Sequence, residues 1–385
     1  MHIGIPRETY GGERRVALTP TALQPLLKAG ASVLVEPGAG LAAGYADEAY
    51  AQAGADTVAD RDKLFAKADV IAQVRTLGAN PDSGRADLQR LKPGQIVIGF
   101  AEPLTARAET EAVAAAGASL LAMEFVPRIT RAQNMDALSS MASIAGYKAV
   151  LLAASVCPRI FPMMTTAAGT VTAAKVFVIG GGVAGLQAIA TARRLGAVVS
   201  GYDVRSAVKE QVESLGAKFV SFDLAEDAEA AGGYARQLDE DTLARQREGM
   251  ARAVRENNVV ITTAAVPGAA APLLITEAMV AAMAPNSVII DLAAERGGNC
   301  ELTRADESVL AYGVTILGPT NLVSTAAYDA SQLYGRNVAN LLRHLTKEGQ
   351  IAIDTEDEIT REMLVTHAGA VVHPRLRPDP SAERS

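Results

Sequence analysis

The chain has 385 residues, 49% of them hydrophobic but only 4% aromatic, with no tryptophan, which is length enough for two domains with cores of aliphatic side chains and alanine. A formal charge of −7, without basic runs interleaved with aromatics, argues against nucleic acid as a partner. The two cysteines, Cys157 and Cys300, form neither a disulfide framework nor a ligand spacing, so no metal site is expected.

The N-terminus runs directly into a strand-like His2–Pro6, and no secretory leader is expected. Thr19 and Pro20 make an N-cap and first-turn pair for a helix reaching Ala29. A strand follows at Ser32–Glu36, then helical patterns after Asp47 and Asp60 and a strand at Asp69–Val74. Gln95–Phe100 is another strand, succeeded by a helix from Thr105 to about Ala116 and a strand at Leu120–Val126. This alternation of apolar strands with helices predicts a parallel sheet covered on both faces. From about Ser139 a long alanine-rich helix leads into a second domain. The apolar stretch from Ala142 to Met164 carries Lys148, Arg159, Gly146, Pro158 and Pro162, so no membrane span and a soluble chain are expected.

In the second domain, further strands are predicted at Lys218–Phe222, Val259–Thr263, Val288–Leu292 and Val314–Leu317, with a helix near Asp241–Glu256. A second long helix, Ala326–Leu345, returns the chain, and Gln350–His373 completes the first domain. The expected fold class is α/β. It has two Rossmann-like domains with parallel sheets, the second inserted into the first, joined by two long helices around a cleft. The first spans residues 1–138 plus 325–385 and the second 139–324. The last dozen residues, rich in Pro, Arg and Asp, are expected to fray.

The most informative stretch is Lys175–Gly185 with the segment that follows it. A strand, a glycine turn, a helix, a second strand at Val198–Tyr202 and an acid at Asp203 succeed one another. Gly180, Gly182 and Gly185 fit G-x-G-x-x-G, and Asp203 stands 203 − 180 = 23 positions beyond the first glycine, near the roughly 20 of dinucleotide-binding turns. Gly180 permits the sharp turn, Gly182 lets backbone N–H groups approach a pyrophosphate, and Gly185 lets helix and strand pack closely. Asp203 can accept from the adenosine ribose hydroxyls and repels a 2′-phosphate, which favours NAD(H), although Arg205 nearby is a group that attracts such a phosphate.

Three irregular stretches stand out. Pro127–Asp136 gathers Arg128, Arg131, Gln133 and Asp136. An Arg128–Asp136 pair with Gln133 left to donate to a ligand, and a plain solvated loop, are both compatible with it. Asp223–Asp239, centred on Ala231-Gly-Gly-Tyr234, suits either a mobile lid or a flexible linker. Thr262–Gly268 and Glu295–Asn299 follow strand ends that line a nucleotide crevice. None of the four histidines, His2, His344, His367 and His373, is expected at a strand end facing the cleft, and no nucleophile–base set is evident. Hydride exchange between two nicotinamides needs no acid–base group, whereas oxidation of an alcohol or amine does.

These motifs resemble the NAD(H)-binding component of proton-translocating nicotinamide nucleotide transhydrogenase. The likeness is carried by the Gly180 turn, the Arg128–Ser139 segment, the Ala231-Gly-Gly-Tyr234 loop and Thr263-Ala-Ala-Val-Pro-Gly268. Ile3-Gly-Ile-Pro-Arg-Glu and Arg15-Val-Ala-Leu-Thr-Pro20 belong to the wider family that includes alanine dehydrogenase. The resemblance implies that Arg128, Gln133, Asp136 and Ser139 act at the nicotinamide end of NAD(H), with Ile129 and Thr130 beside them. It implies cofactor contacts from Gly180, Gly182, Val183, Gly185, Asp203, Val204, Arg205, Gly233, Tyr234, Gln246 and Ala265. It further implies a cytoplasmic homodimer working with an NADP(H)-binding beta subunit and a membrane-spanning subunit, held at the inner membrane through them without inserting itself.

Two other readings stay open. An alanine dehydrogenase would use basic residues near Arg15 and Arg75, and Glu295 in place of an Asp, but its catalytic His falls where this chain has Ala101-Glu-Pro103. A non-catalytic NAD-binding module would give the Arg128–Asp136 segment no purpose.

Overall fold

Apolar runs of four to six residues specify the strands, and polar glycine-bearing segments separate them. The structure is a computed structural model describing residues 1–222, 229–230, 234–235, 240–347 and 349–377, with backbone alone at 229–230, 234–235 and 240–244. The chain divides into two units, one made of Met1–Met141 with Val323–Ser385 and the other of Ala142–Leu322. Both are α/β with a largely parallel sheet.

In the first unit eight strands lie in the order Ala370–Val371, Leu364–His367, Ser119–Ala122, Ile96–Phe100, Val70–Arg75, His2–Ile5, Ser32–Val35, Asp56–Thr57. The six N-terminal strands are mutually parallel, and the two C-terminal ones add antiparallel to Ser119–Ala122. Val70–Val74 is buried at every position, which is why its sequence reads as a run and not as an alternation. The helix Ala327–Leu345 lies within this unit and buries Tyr334, Val338, Leu341 and Leu342.

In the second unit seven strands run Lys218–Phe219, Val198–Tyr202, Lys175–Ile179, Val259–Thr262, Val288–Asp291, Val314–Leu317, Ser308–Ala311, only the last antiparallel. Lys175–Ile179 is flanked by Val198–Tyr202 on one side and Val259–Thr262 on the other, so the strand order reverses there. Ligand crevices form outside the carboxyl ends of strands at such a point. The period of two sends Val176 and Val178 to one core and Phe177 and Ile179 to the other.

The helix Ala137–Val156 is long and apolar enough by composition to cross a membrane. Here Ala149, Val150 and Ala153 belong to the second unit's core. Gly146 brings the helix so close to the neighbouring helix that a Cβ would stand 2.0 Å from the Ala184 carbonyl oxygen.

Several elements differ from expectation. Lys218 begins a strand that ends at Phe219, because Ser221 and Asp223 interrupt the apolar run. Two hairpins carry strands that the pattern did not indicate. Tyr312 (φ 54°) and Gly313 (φ 75°) turn Ser308–Ala311 onto Val314–Leu317, and Ala368 (φ 49°) and Gly369 (φ 82°) turn Leu364–His367 onto Ala370–Val371, as type I′ turns do. A third hairpin, Met164–Thr166 with Gly169–Val171, is exposed at every residue.

Candidate functional site

Gly180 ends its strand at φ 101°, and a Cβ there would lie 2.4 Å from Thr263 Oγ1. A Cβ at Gly185 would lie 1.7 Å from the Gly180 carbonyl oxygen, so the helix Val183–Arg194 starts directly against the strand end. Gly182 is the opposite case. It is the helix N-cap, with extended backbone and no side-chain cap, and nothing lies within 4 Å of where its Cβ would be. The first N–H groups of the helix therefore face an open backbone cradle with partial positive charge, a fit for a pyrophosphate. Thr263, which nothing in the sequence singles out within its loop, fixes the turn by donating to the Ile179 and Gly180 carbonyls, both at 3.2 Å.

Asp203 closes the next strand with its side chain 7% exposed. It accepts from the backbone N–H of Gly181 at 2.6 Å and of Arg205 at 2.8 Å, and from the Arg205 guanidinium through Nε at 2.9 Å and Nη2 at 3.0 Å. Burial alone acts to raise its pKa, but these donors hold it below the ordinary carboxylate range. Val204 beside it is exposed. Gln246, on the helix Glu240–Arg255, donates to the Tyr202 hydroxyl at 2.6 Å, and the Tyr202 ring packs on Phe222.

The loop after Val259–Thr262 is held from behind by a residue whose role the sequence did not reveal. Asn299, fully buried, accepts from Ala264 N–H and donates to the carbonyls of Ala264 and Pro272. Asp291, also fully buried, in turn binds the N–H groups of Ala293, Asn299 and Cys300 and the hydroxyls of Thr262 and Thr303. Ala265 and Glu295 are exposed beyond this framework. Two carbonyls and an N–H met by one amide is the only local signal for Asn299, and it arises from tertiary folding alone.

The Arg128–Ser139 segment belongs to the first unit. Thr130–Met135 forms a 3-10 turn with Arg128, Thr130 and Gln133 exposed and Ile129 half-buried. Of the two readings open for this segment, the Arg128–Asp136 pair is not formed. Asp136 instead accepts from Ser139 N–H at 2.9 Å and Ser139 Oγ at 2.6 Å, capping the helix Ala137–Val156. A bond three residues away orders less chain than a pair eight residues away, and it uses both carboxylate oxygens. The turn is fastened by Arg131 to Asp357 and by Asn337 and Asn340 to the Asn134 carbonyl. Gln133 makes no side-chain hydrogen bond among the described residues. Gly233 lies outside the described residues. Tyr234 pairs through its backbone in the short ladder Glu229–Ala230 with Tyr234–Ala235, and its side chain lies outside them.

In the same unit Arg15 and Arg75 both converge on Glu13. Arg15 gives Nε at 2.8 Å and Nη2 at 2.6 Å, and Arg75 gives Nε at 3.1 Å while lying over the Tyr10 ring. Burial would raise the Glu13 pKa, but Arg15 and Arg75 bring it down to about 2. Burial pushes Glu8, which accepts from Val74 and Arg75 N–H, up to about 8. His367 does end a strand, but it bonds Ser119 at the amino end of the parallel strands, the side opposite a crevice. No group of three or more His, Cys, Asp or Glu suited to a metal occurs among the described residues.

Family models for the N- and C-terminal domains of alanine dehydrogenase/PNT match residues 4–145 and 149–374. The chain belongs to the alanine dehydrogenase/PNT family. Within that family it is 45% identical over 377 residues to an NAD(P) transhydrogenase subunit alpha chain of Rickettsia prowazekii, covering 98% of this chain and 97% of the relative. It is 30% identical over 397 residues to alanine dehydrogenase of Mycobacterium tuberculosis, covering 98% and 96%. A crystal structure of transhydrogenase from Sinorhizobium meliloti superposes with a TM-score of 0.87 at 42% identity, covering 97% of this chain and all of that one.

Proposed function

We propose that this chain is the NAD(H)-binding component of a proton-translocating transhydrogenase. The observation that carries it is the open N-cap at Gly182 flanked by two glycines that admit no side chain, with an ionised acid at the next strand end. When held here, NAD(H) would supply the hydride for NADP⁺ on a partner beta subunit, with a separate membrane-spanning subunit coupling the transfer to proton movement at the cytoplasmic face of the inner membrane. The residues of this chain contribute position. Gly180, Gly182, Val183 and Gly185 seat the pyrophosphate, and Asp203 with Val204 and Arg205 lines the adenosine side. Arg128, Ile129, Thr130, Gln133, Asp136 and Ser139 hold the nicotinamide end, and Gly233, Tyr234, Gln246 and Ala265 border the site. Bringing the two rings to about 3–3.5 Å with water excluded is the catalytic act.

The 45% identity to a chain named as a transhydrogenase subunit supports this over the 30% identity to an alanine dehydrogenase. The engagement of Arg15 and Arg75 by Glu13 also weighs against a seat for a small keto acid. Pairing of two copies is included in the proposal. An exposed two-stranded hairpin at Met164–Val171 is marginal alone, which supports a packing partner for it.

The deciding assay adds a recombinant NADP(H)-binding partner to the purified chain and follows hydride transfer from NADH to an NADP⁺ analogue. Transfer should appear only with both proteins, and NADH with pyruvate and ammonium should give none. Gln133→Asn should slow transfer by up to about a hundredfold, the effect of a 1 Å misplacement, with a far smaller change in NADH affinity. An unaltered rate removes Gln133 from the mechanism.

A further inference from the structure

The acid that closes the dinucleotide motif is already fully engaged. A carboxylate offers about four lone-pair positions, and Asp203 has two donors on each oxygen: Arg205 N–H and Nε on Oδ1, Gly181 N–H and Arg205 Nη2 on Oδ2. The two backbone donors belong to fixed chain, since Gly181 sits so close to Val208 that a Cβ would be 2.2 Å from its Cγ1. The guanidinium is different, because the Arg205 side chain is 38% exposed while Asp203 is 7% exposed. Its two bonds have the bidentate geometry of a strong pair, yet its exposure leaves it screened by salt and able to swing outward.

We infer that Arg205 is a displaceable internal occupant of the ribose seat on Asp203, and that the pair sets coenzyme choice. A ribose diol can bond Asp203 only by displacing the guanidinium, so nucleotide and Arg205 compete for the same two acceptors. While Asp203 holds Arg205, the positive charge is matched within the pair and a 2′-phosphate gains nothing from it. Removing the carboxylate turns the same arginine into a phosphate ligand. The inference rests on the proposal that the Gly180–Gly185 turn seats a dinucleotide. It accounts for an arginine placed two residues from an acid that otherwise selects against phosphate.

The test titrates NADH and NADPH by fluorescence into the wild-type chain, Arg205→Gln, Asp203→Ser and the double variant, with circular dichroism as the check on folding. Arg205→Gln should bind NADH about fivefold more tightly, the measure of a half-exposed ion pair, and the gain should shrink as salt rises. Asp203→Ser should lose NADH affinity and bind NADPH at least about tenfold more tightly, a phosphate contact of ordinary strength. The double variant should lose that NADPH gain. Unchanged or weaker NADH binding by Arg205→Gln overturns the inference, as does an NADPH gain that survives without Arg205. If Asp203→Ser does not fold, the Arg205→Gln titration at low and high salt still decides. A wild-type chain that binds no NADH would instead remove the dinucleotide proposal beneath it.

Discussion

Gly182 and Gly185 sit three residues apart in one motif, yet their substitution by alanine should fail in different ways. At Gly185 the new methyl would stand 1.7 Å from the Gly180 carbonyl oxygen. Restoring a contact of about 3.3 Å needs a displacement of roughly 1.5 Å between helix and strand. Overpacking of this kind costs about 1–3 kcal/mol, which in a unit spanning Ala142–Leu322 lowers the melting temperature by about 3–10 °C. At Gly182 the methyl meets nothing within 4 Å and the backbone is already extended. Only the small preference for glycine over alanine at an N-cap is lost, under about 1 kcal/mol. That same open space is where a pyrophosphate must approach the helix N–H groups. Loss of one bond to a charged oxygen, about 1.5–3 kcal/mol, weakens NADH binding by about 10–100-fold. Thermal melts and NADH titrations on the two variants check both halves. A folded Gly182→Ala that binds NADH like wild type would show that the phosphates lie elsewhere, and a Gly185→Ala that melts normally would refute the packing claim.

Glu124 gives a prediction in pH. Its Oε1 accepts from Ala101 and Glu102 N–H, while its buried Oε2 has no partner among the described residues, and burial raises its pKa to about 7. Because the folded state binds this proton more tightly than the unfolded chain, stability is greatest below the ordinary carboxylate pKa and declines as pH rises toward 7, by up to about 1.4 kcal/mol per pH unit. Glu124→Gln should lessen the decline in melting temperature between pH 5 and 7, with Glu8, raised to about 8, contributing the rest, and an unchanged slope would place the titration elsewhere. Asn299→Ala leaves the Ala264 and Pro272 carbonyls without their donor. It should cost about 2–4 kcal/mol in denaturant unfolding, and a loss under about 0.5 kcal/mol would mean water replaces the amide.

The glycine turn at Gly180–Gly185 and both largely parallel sheets were legible because they depend on local signals: apolar runs at strand length, glycines where backbone meets backbone, an acid at a strand end. The two edge hairpins were not, because their turns use Tyr312-Gly313 and Ala368-Gly369. The central residues of such turns are usually Asn-Gly or Asp-Gly, and a tyrosine or alanine at positive φ leaves no trace in composition. The choice between an Arg128–Asp136 pair and a solvated loop was undecidable for a different reason. Charge complementarity was visible in the sequence, but the competing claim of a helix start on Asp136 depends on Ser139 turning back three residues. Asn299 and Thr263 act through carbonyls brought near by tertiary folding, so a sequence holds no spacing that marks them.

The distribution of acidic groups in the first unit bears on the type of reaction. Glu8, Glu13 and Glu124 all follow carboxyl ends of the parallel strands, where a dehydrogenase would place its proton-exchanging group. Each is turned inward. Glu8 takes the N–H groups of Val74 and Arg75, Glu13 takes Arg15 and Arg75, and Glu124 takes the N–H groups of Ala101 and Glu102. A general acid or base must reach the reacting atom within about 3 Å, directly or through one water; both oxygens of Glu8 and of Glu13 are taken up by these donors, whereas Glu124 keeps its buried Oε2 without a partner among the described residues. The bonds that these acids do make set loop geometry at the strand ends. Hydride exchange between two nicotinamides makes and breaks no O–H or N–H bond, so it tolerates this arrangement, whereas amination of a keto acid would need a proton-exchanging group other than Glu8 and Glu13. Glu13→Gln tests the distinction. If the acids are structural, it should lower stability at pH 7 and leave NADH binding and partner-dependent transfer intact, and a variant that remains folded but loses transfer would put Glu13 in the chemistry.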